Sequence, residues 1–139
     1  MVTPDVAKAK IAAIERHLAR VEEVRRGRPG LLPLEIEEMI HLNLFAAVQA
    51  CLELASHVVS SEGYGVPGTL AESFTLLEKQ GVIDAKLAER LRKMAGFRNI
   101  FVHRYAEIDR GMIDKIVKNN LGDLRRFAAV IADRFGLGR

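Results

Sequence analysis

Tryptophan is absent from this chain, cysteine occurs once and proline only four times in 139 residues. A single cysteine excludes any intrachain disulfide, so the fold cannot be a stapled secreted scaffold. Cys51 lies in an apolar run, reads as a small buried hydrophobe, and suits a reducing compartment. The scarcity of proline, together with 49% apolar and 28% charged residues, excludes the composition of disordered or fibrous chains. Apolar stretches are interrupted by polar residues well short of a membrane span. The first ten residues lack the charged-then-apolar pattern of a signal peptide. Membrane insertion and secretion are therefore not expected, and a cytoplasmic protein is. Gly63, Gly65 and Gly68 lack the lysine and hydroxyl residue of a phosphate loop and read as a turn. No strand-like alternation and no internal repeat is present.

What the chain does contain is helical periodicity. Residues 1–139 are long enough for one domain with its own apolar core. Thr3 and Pro4 predict a helix start capped by the threonine hydroxyl. Ile11, Ile14, Leu18 and Val21 form its stripe, and Gly27 closes it. Arg28 to Pro33 reads as a connector. A longer helix from Leu34 to about Gly63 carries a broad apolar face that includes Ile36, Ile40, Leu44, Val48 and Cys51, which predicts the central core helix. The loop of residues 63–68 displays Tyr64. Thr69 and Glu72 have capping-box spacing for a short helix through Phe74 and Leu77 to Gly81. Asp84 caps a fourth helix that runs through Leu87, Leu91, Met94 and Phe101 to about Tyr105. A fifth begins near Asp109, and its regular stripe from Ile113 to Phe135 predicts an uninterrupted helix up to Gly136. The expected fold is all-α: an up-and-down bundle of four long helices with one short helix inserted.

Net charge is only +3, yet its distribution is uneven. Between Asp84 and Tyr105 six cations (Lys86, Arg90, Arg92, Lys93, Arg98, Arg104) face two anions, and the rest of the chain is about neutral. Within this segment Arg98, Asn99, His103 and Tyr105 stand among large hydrophobes. On an ideal helix His103 lies about 140 degrees from Arg98, whereas Tyr105 returns to within about 20 degrees of it. His103 shares its face with Asn99, whose amide is placed to orient the imidazole. Arg98 and His103 would meet only if the helix breaks nearby or if two copies pack across a dimer axis.

The Arg98-Asn99 pair followed by His103 and Tyr105 resembles the Arg-x4-His-x-Tyr signature of HepT-type toxins in the HEPN superfamily, late in the fourth helix of a similar bundle. The resemblance implies a metal-independent endoribonuclease toxin of a type VII-like pair, acting on RNA as a homodimer without a cofactor. Arg98 and His103 would be catalytic. Two copies of His103 would act as acid and base in 2′-hydroxyl attack, leaving a 2′,3′-cyclic phosphate, while Arg98 holds the phosphate. It also implies a cognate nucleotidyltransferase antitoxin of the MntA type, which transfers AMP to Tyr105 and so blocks the site.

Other readings of the residues stay open beside this one. Arg90, Arg92, Lys93 and Arg104 are candidate contacts to an RNA backbone, or else a solvated helix face. Glu38 with His41 has the Glu-x-x-His spacing found in di-iron bundles, and Glu53 with His57 adds a second carboxylate and imidazole on the same helix, but the second Glu-x-x-His that such centres need is missing, so no metal is expected. His17 reads as a solvated side chain. The rival function is a non-catalytic helical subunit that binds a nucleotide or partners a nucleotidyltransferase.

Overall fold

The computed structural model describes residues 1–27, 30 and 33–138. Among them every regular element is helical: α1 (Pro4–Arg25), α2 (Pro33–Ser61), α3 (Glu72–Lys79), α4 (Ala85–His103), α5 (Arg110–Asn119) and α6 (Leu121–Arg134), with a single 3₁₀ turn at Tyr105–Glu107. Most of the predicted connector from Arg28 to Pro33 lies outside the described residues, and Pro33 opens α2.

α1 buries Ala7, Ile11, Ile14, Leu18, Val21 and Val24, one stripe at spacings of three and four, against α2 and α6. α2 is the central helix and also meets α3 and α4. Burying a side chain of this size contributes roughly 1.5–3 kcal/mol. Long unbroken helices are therefore held by packing more than by propensity. α3 is anchored by Phe74, fully enclosed and edge-on to Phe127 of α6 at 5.5 Å. By length and composition α2 could also cross a membrane, which the interrupted apolar runs did not suggest. Its apolar composition is accounted for by the bundle, since Leu44, Val48, Leu54, Val58 and their neighbours are buried inside it.

Helix ends follow local chemistry, with exceptions. After α2 and α3, Gly63 (φ +68) and Gly81 (φ +71) adopt the left-handed conformation. This allows paired backbone bonds, Tyr64 N–H to Val59 O and Val82 N–H to Leu77 O, to close the last turns. Asp84 Oδ1 accepts from Leu87 N–H at 2.8 Å, as its capping position predicts. Thr3 does not cap α1 with its side chain; its backbone N–H donates instead to His57 Nε2. Thr69 Oγ1 accepts from Glu72 N–H at 3.3 Å, but the Glu72 carboxylate reaches back to Gly68 N–H, one residue earlier than a capping box requires.

Two predicted helices are broken. The fifth is not continuous: Asn120 (φ −120, ψ −7) separates α5 from α6, and its amide donates to the Asp123 carboxylate at 3.0 Å. Asparagine is a poor helix former, and Gly122 just beyond it lowers helix propensity further. The apolar stripe survives because one kinked residue hardly disturbs its phase. The fourth ends at His103, two residues before the predicted limit, because Arg104 (φ −141, ψ 46) leaves helical geometry.

Candidate active site

The last turns of α4 and the turn after it place the motif. Arg98 lies on the inward side of α4, half-buried. Its Nε donates to Gln49 Oε1 of α2 at 2.9 Å and its Nη1 to Asn99 Oδ1 at 3.2 Å. Gln49 is itself held, donating to Glu53 Oε2 at 3.2 Å, while Glu53 Oε1 takes Lys10 Nζ of α1 at 2.7 Å. Burial alone would push the Glu53 carboxyl up; the hydrogen bonds from Lys10 and Gln49 and the Lys10 charge outweigh it and hold the group below its ordinary value. A chain of polar contacts from α1 through α2 thus fixes the plane of the guanidinium.

Both partners of Arg98 are neutral amides, and among the described residues no carboxylate touches it. Four of the other five cations of the segment differ, Lys86 being exposed without a carboxylate partner among the described residues. Arg90 pairs with Asp123 at 3.5 Å, Arg92 with Glu78 at 3.1 Å, Lys93 with Glu89 at 3.6 Å and Arg104 with Glu107 at 3.2 Å. Arg98 is held in position with its charge uncompensated, the condition under which a guanidinium binds an oxyanion well.

His103 is exposed at the end of α4, and its ring makes no hydrogen bond or ion pair among the described residues. Asn99, expected to orient it, is engaged by Arg98 instead. Because α4 stays regular as far as His103, Arg98 and His103 remain on different sides of one helix, and the break comes one residue too late to unite them. Gly96, Asn99 and His103, at spacings of three and four, share an exposed face. A Cβ on Gly96 would meet nothing within 4 Å.

Beyond the break Tyr105 departs from the Arg98 stripe on which an ideal helix would put it. Its ring stands edge-on to Phe101 at 5.0 Å, with Phe101 stacked on Phe45 of α2 at 4.5 Å. Its hydroxyl lies 3.1 Å from His41 Nδ1. The predicted stripe neighbour of Tyr105 was Arg98; its actual partner is an imidazole on α2, while half of the tyrosine surface stays open (50% exposed).

The two glutamate–histidine pairs of α2 diverge. Glu38 is exposed whereas His41 is buried, Glu53 is bonded to Lys10 and Gln49, and His57 accepts from Thr3. No group of three or more His, Cys, Asp or Glu placed to hold a metal occurs among the described residues. His17 is half-buried and bonded to Asn43 at 2.9 Å, so it is not simply solvated.

A family model described as Ribonuclease HepT-like matches residues 12–131. The chain belongs to this HepT-like family. It is 33% identical over 128 residues to the mRNA nuclease HepT of Shewanella oneidensis, covering 91% of this chain and 96% of that protein. A solved structure of the tri-AMPylated Shewanella oneidensis HEPN toxin in complex with MNT antitoxin superposes with a TM-score of 0.83 at 32% identity, covering 93% of this chain and 98% of that one. The cytosolic protein of unknown function YutE from Bacillus subtilis superposes with a TM-score of 0.85, covering 96% and 91%, but at 16% identity it shares the fold alone. The all-helical bundle expected from periodicity is thus the HEPN bundle.

Two partners of the HepT-like motif lie outside its signature, on α2. Gln49 carries no sequence signal, being one polar residue on the rim of a long apolar helix. His41 does carry one. It falls on the apolar stripe of α2, four residues after Glu37 and three before Leu44, where a polar side chain needs a partner from elsewhere in the fold.

Proposed function

We propose that this chain is a cytoplasmic, metal-independent endoribonuclease toxin whose active assembly is a homodimer and whose antitoxin is a nucleotidyltransferase that adds AMP to Tyr105. The observation that carries the reading is the guanidinium of Arg98, fixed by Gln49 and Asn99 with no carboxylate among the described residues to neutralise it, a few residues from the His103 imidazole, which those residues leave unengaged. Arg98 is the phosphate ligand. His103 is the proton-transfer group, since imidazole changes charge near neutral pH.

One chain supplies one such imidazole, whereas attack by a ribose 2′-hydroxyl needs both a base and an acid. Two copies of α4 across a dimer axis provide them. That arrangement is supported by the bare face at Gly96 and by Leu42 and Val102, exposed apolar side chains on the two helices that frame the motif (64% and 44% exposed). The product is then a 2′,3′-cyclic phosphate and a free 5′-hydroxyl. Arg104, Arg92, Lys93 and Arg90 contribute backbone contacts after exchanging their carboxylate partners for phosphates, at a cost that makes each a weaker ligand than Arg98. AMP added to Tyr105 brings a phosphate to the mouth of this site, where it competes with RNA for cations.

The test uses purified protein, an RNA substrate and a chelator. Cleavage with cyclic-phosphate ends, lost in both His103→Ala and Arg98→Ala, is the expected result. Cleavage by His103→Ala at the parent rate sinks the mechanism. A parent that binds its nucleotidyltransferase but cuts no RNA returns the chain to the role of a partner-binding subunit.

A further inference from the structure

The phenol of Tyr105 ends against a buried imidazole. His41 is only 7% exposed, with Nδ1 3.1 Å from the tyrosine hydroxyl. Its other nitrogen, Nε2, is buried without a hydrogen-bond partner among the described residues. That nitrogen faces Oε1 of Glu37, one turn earlier on α2, at 3.9 Å. The second oxygen of Glu37 accepts from Arg110 Nη2 of α5 at 3.4 Å. His41 and Glu37 also line a cavity of about 370 Å³, whose walls are Ile36, Ile40 and Ile113 and whose charged rim adds Arg110 and Asp114.

Charge selects the tautomer. A carboxylate opposite Nε2 favours the proton there, which leaves Nδ1 as the acceptor for the Tyr105 O–H. Hydroxyl, imidazole and carboxylate then stand in the order of a nucleophile, its base and the group that steadies the base. A phenol keeps its proton at neutral pH and is then a weak nucleophile, so a residue that receives a nucleotide gains from such a neighbour.

We propose that His41 is the catalytic base for nucleotide transfer to Tyr105 and that Glu37 is its positioning carboxylate; this rests on the reading of Tyr105 as the modified residue. His41 Nδ1 takes the phenolic proton as the tyrosine oxygen forms a bond to the α-phosphorus of a nucleoside triphosphate presented by the nucleotidyltransferase. The bond from that phosphorus to the bridging oxygen breaks, and its electron pair leaves with pyrophosphate. Glu37 stabilises the imidazolium until its proton passes to solvent. The toxin thereby contributes a catalytic group to its own silencing.

Single-turnover addition of AMP to Tyr105, by the cognate nucleotidyltransferase with ATP and magnesium, is followed by mass spectrometry across the pH range where imidazole titrates. The charged groups facing the ring are Glu37 on its own helix and Arg110 and Asp114 on α5, with the Tyr105 phenol beyond the end of α4. In the parent the rate falls on the acid side, where a base that must be neutral to take the phenolic proton is lost. His41→Asn keeps an amide where Nδ1 stood but has no basicity; a loss of about a hundredfold and a flat acid limb are expected. Rates within about twofold of the parent, with the same profile, overturn the relay.

Thermal unfolding reports whether His41→Asn is folded. Glu37→Gln, at a partly exposed position, carries the test should it not be. Without the carboxylate the imidazolium formed during transfer loses its partner, so the plateau rate drops and the pH profile changes; a rate and profile both unmoved overturn the assignment. A parent that takes no AMP at Tyr105 brings down the modification reading along with the relay, whereas a modified parent with an equally fast His41→Asn brings down the relay alone.

Discussion

Arg98 Nε donates to Gln49 Oε1 at 2.9 Å, joining the motif helix to the central helix through a neutral partner. Gln49 therefore fixes the guanidinium without consuming its charge. On the proposed role of Arg98, Gln49→Ala is expected to lower the rate of RNA cleavage by roughly ten- to a hundredfold, since a misplaced phosphate ligand loses orientation as well as affinity. Gln49→Glu restores a contact but supplies a neutralising carboxylate, so it is expected not to rescue. Steady-state cleavage by the two variants, with circular dichroism to verify helix content, checks both statements.

Gly96 sits in the interior of α4 on the face shared by Asn99 and His103, with open space where a Cβ would be. In an exposed helix interior glycine costs about 1 kcal/mol relative to alanine, which a close approach by a second copy would offset. On the proposed dimer, Gly96→Trp is expected to give a monomer in sedimentation velocity and to abolish cleavage, while leaving the helical fold intact.

Asp84 serves two elements, capping α4 through Oδ1 and accepting from Arg126 of α6 at 3.0 Å through Oδ2. Asp84→Ala is expected to cost about 1 kcal/mol from the cap, with little more from the exposed ion pair. This corresponds to a fall of roughly 3 °C in unfolding temperature for a chain of this length. Cleavage activity at room temperature should be unaffected.

Glu53 links acid stability to the site. Its folded-state carboxyl lies below the ordinary value of 4.5, so its contribution is complete above that value and is lost as the pH falls through the folded one. Denaturant titrations of the parent should show stability declining as the pH drops below the ordinary carboxyl range. Glu53→Gln should show a shallower decline and lower stability at neutral pH.

Cys51 is fully enclosed in α2, and burial pushes its thiol far above its ordinary value. Iodoacetamide at mildly alkaline pH is expected to leave the native protein unlabelled, because the thiolate is the reacting form. Full labelling in denaturant provides the control, and labelling of the native chain at the same rate would contradict the burial.

Helix positions and most of their ends were legible in the chain because spacings of three and four, Asp84 and the glycines at 63, 81 and 136 act locally. The two breaks were not. At Asn120 the apolar stripe continues in phase through the kink, and at Arg104 the turn goes with the contact of Tyr105 with His41, 64 residues away in sequence. The motif residues stood out by their chemistry among hydrophobes. Gln49 did not, because its role exists only once α2 and α4 are packed, and His41 drew notice for a metal spacing when its partner is a phenol.

The departure from helical geometry at Arg104 carries a consequence for which changes this segment tolerates. Within a helix an inserted residue rotates everything after it, but Arg104 is a corner, and the directions of α4 and of the Tyr105 turn are set by its backbone (φ −141, ψ 46). Many side chains can occupy such a corner, whereas its removal would draw Tyr105 back into the helix and away from His41. This one-residue spacer is thus constrained in length far more strictly than in chemical identity.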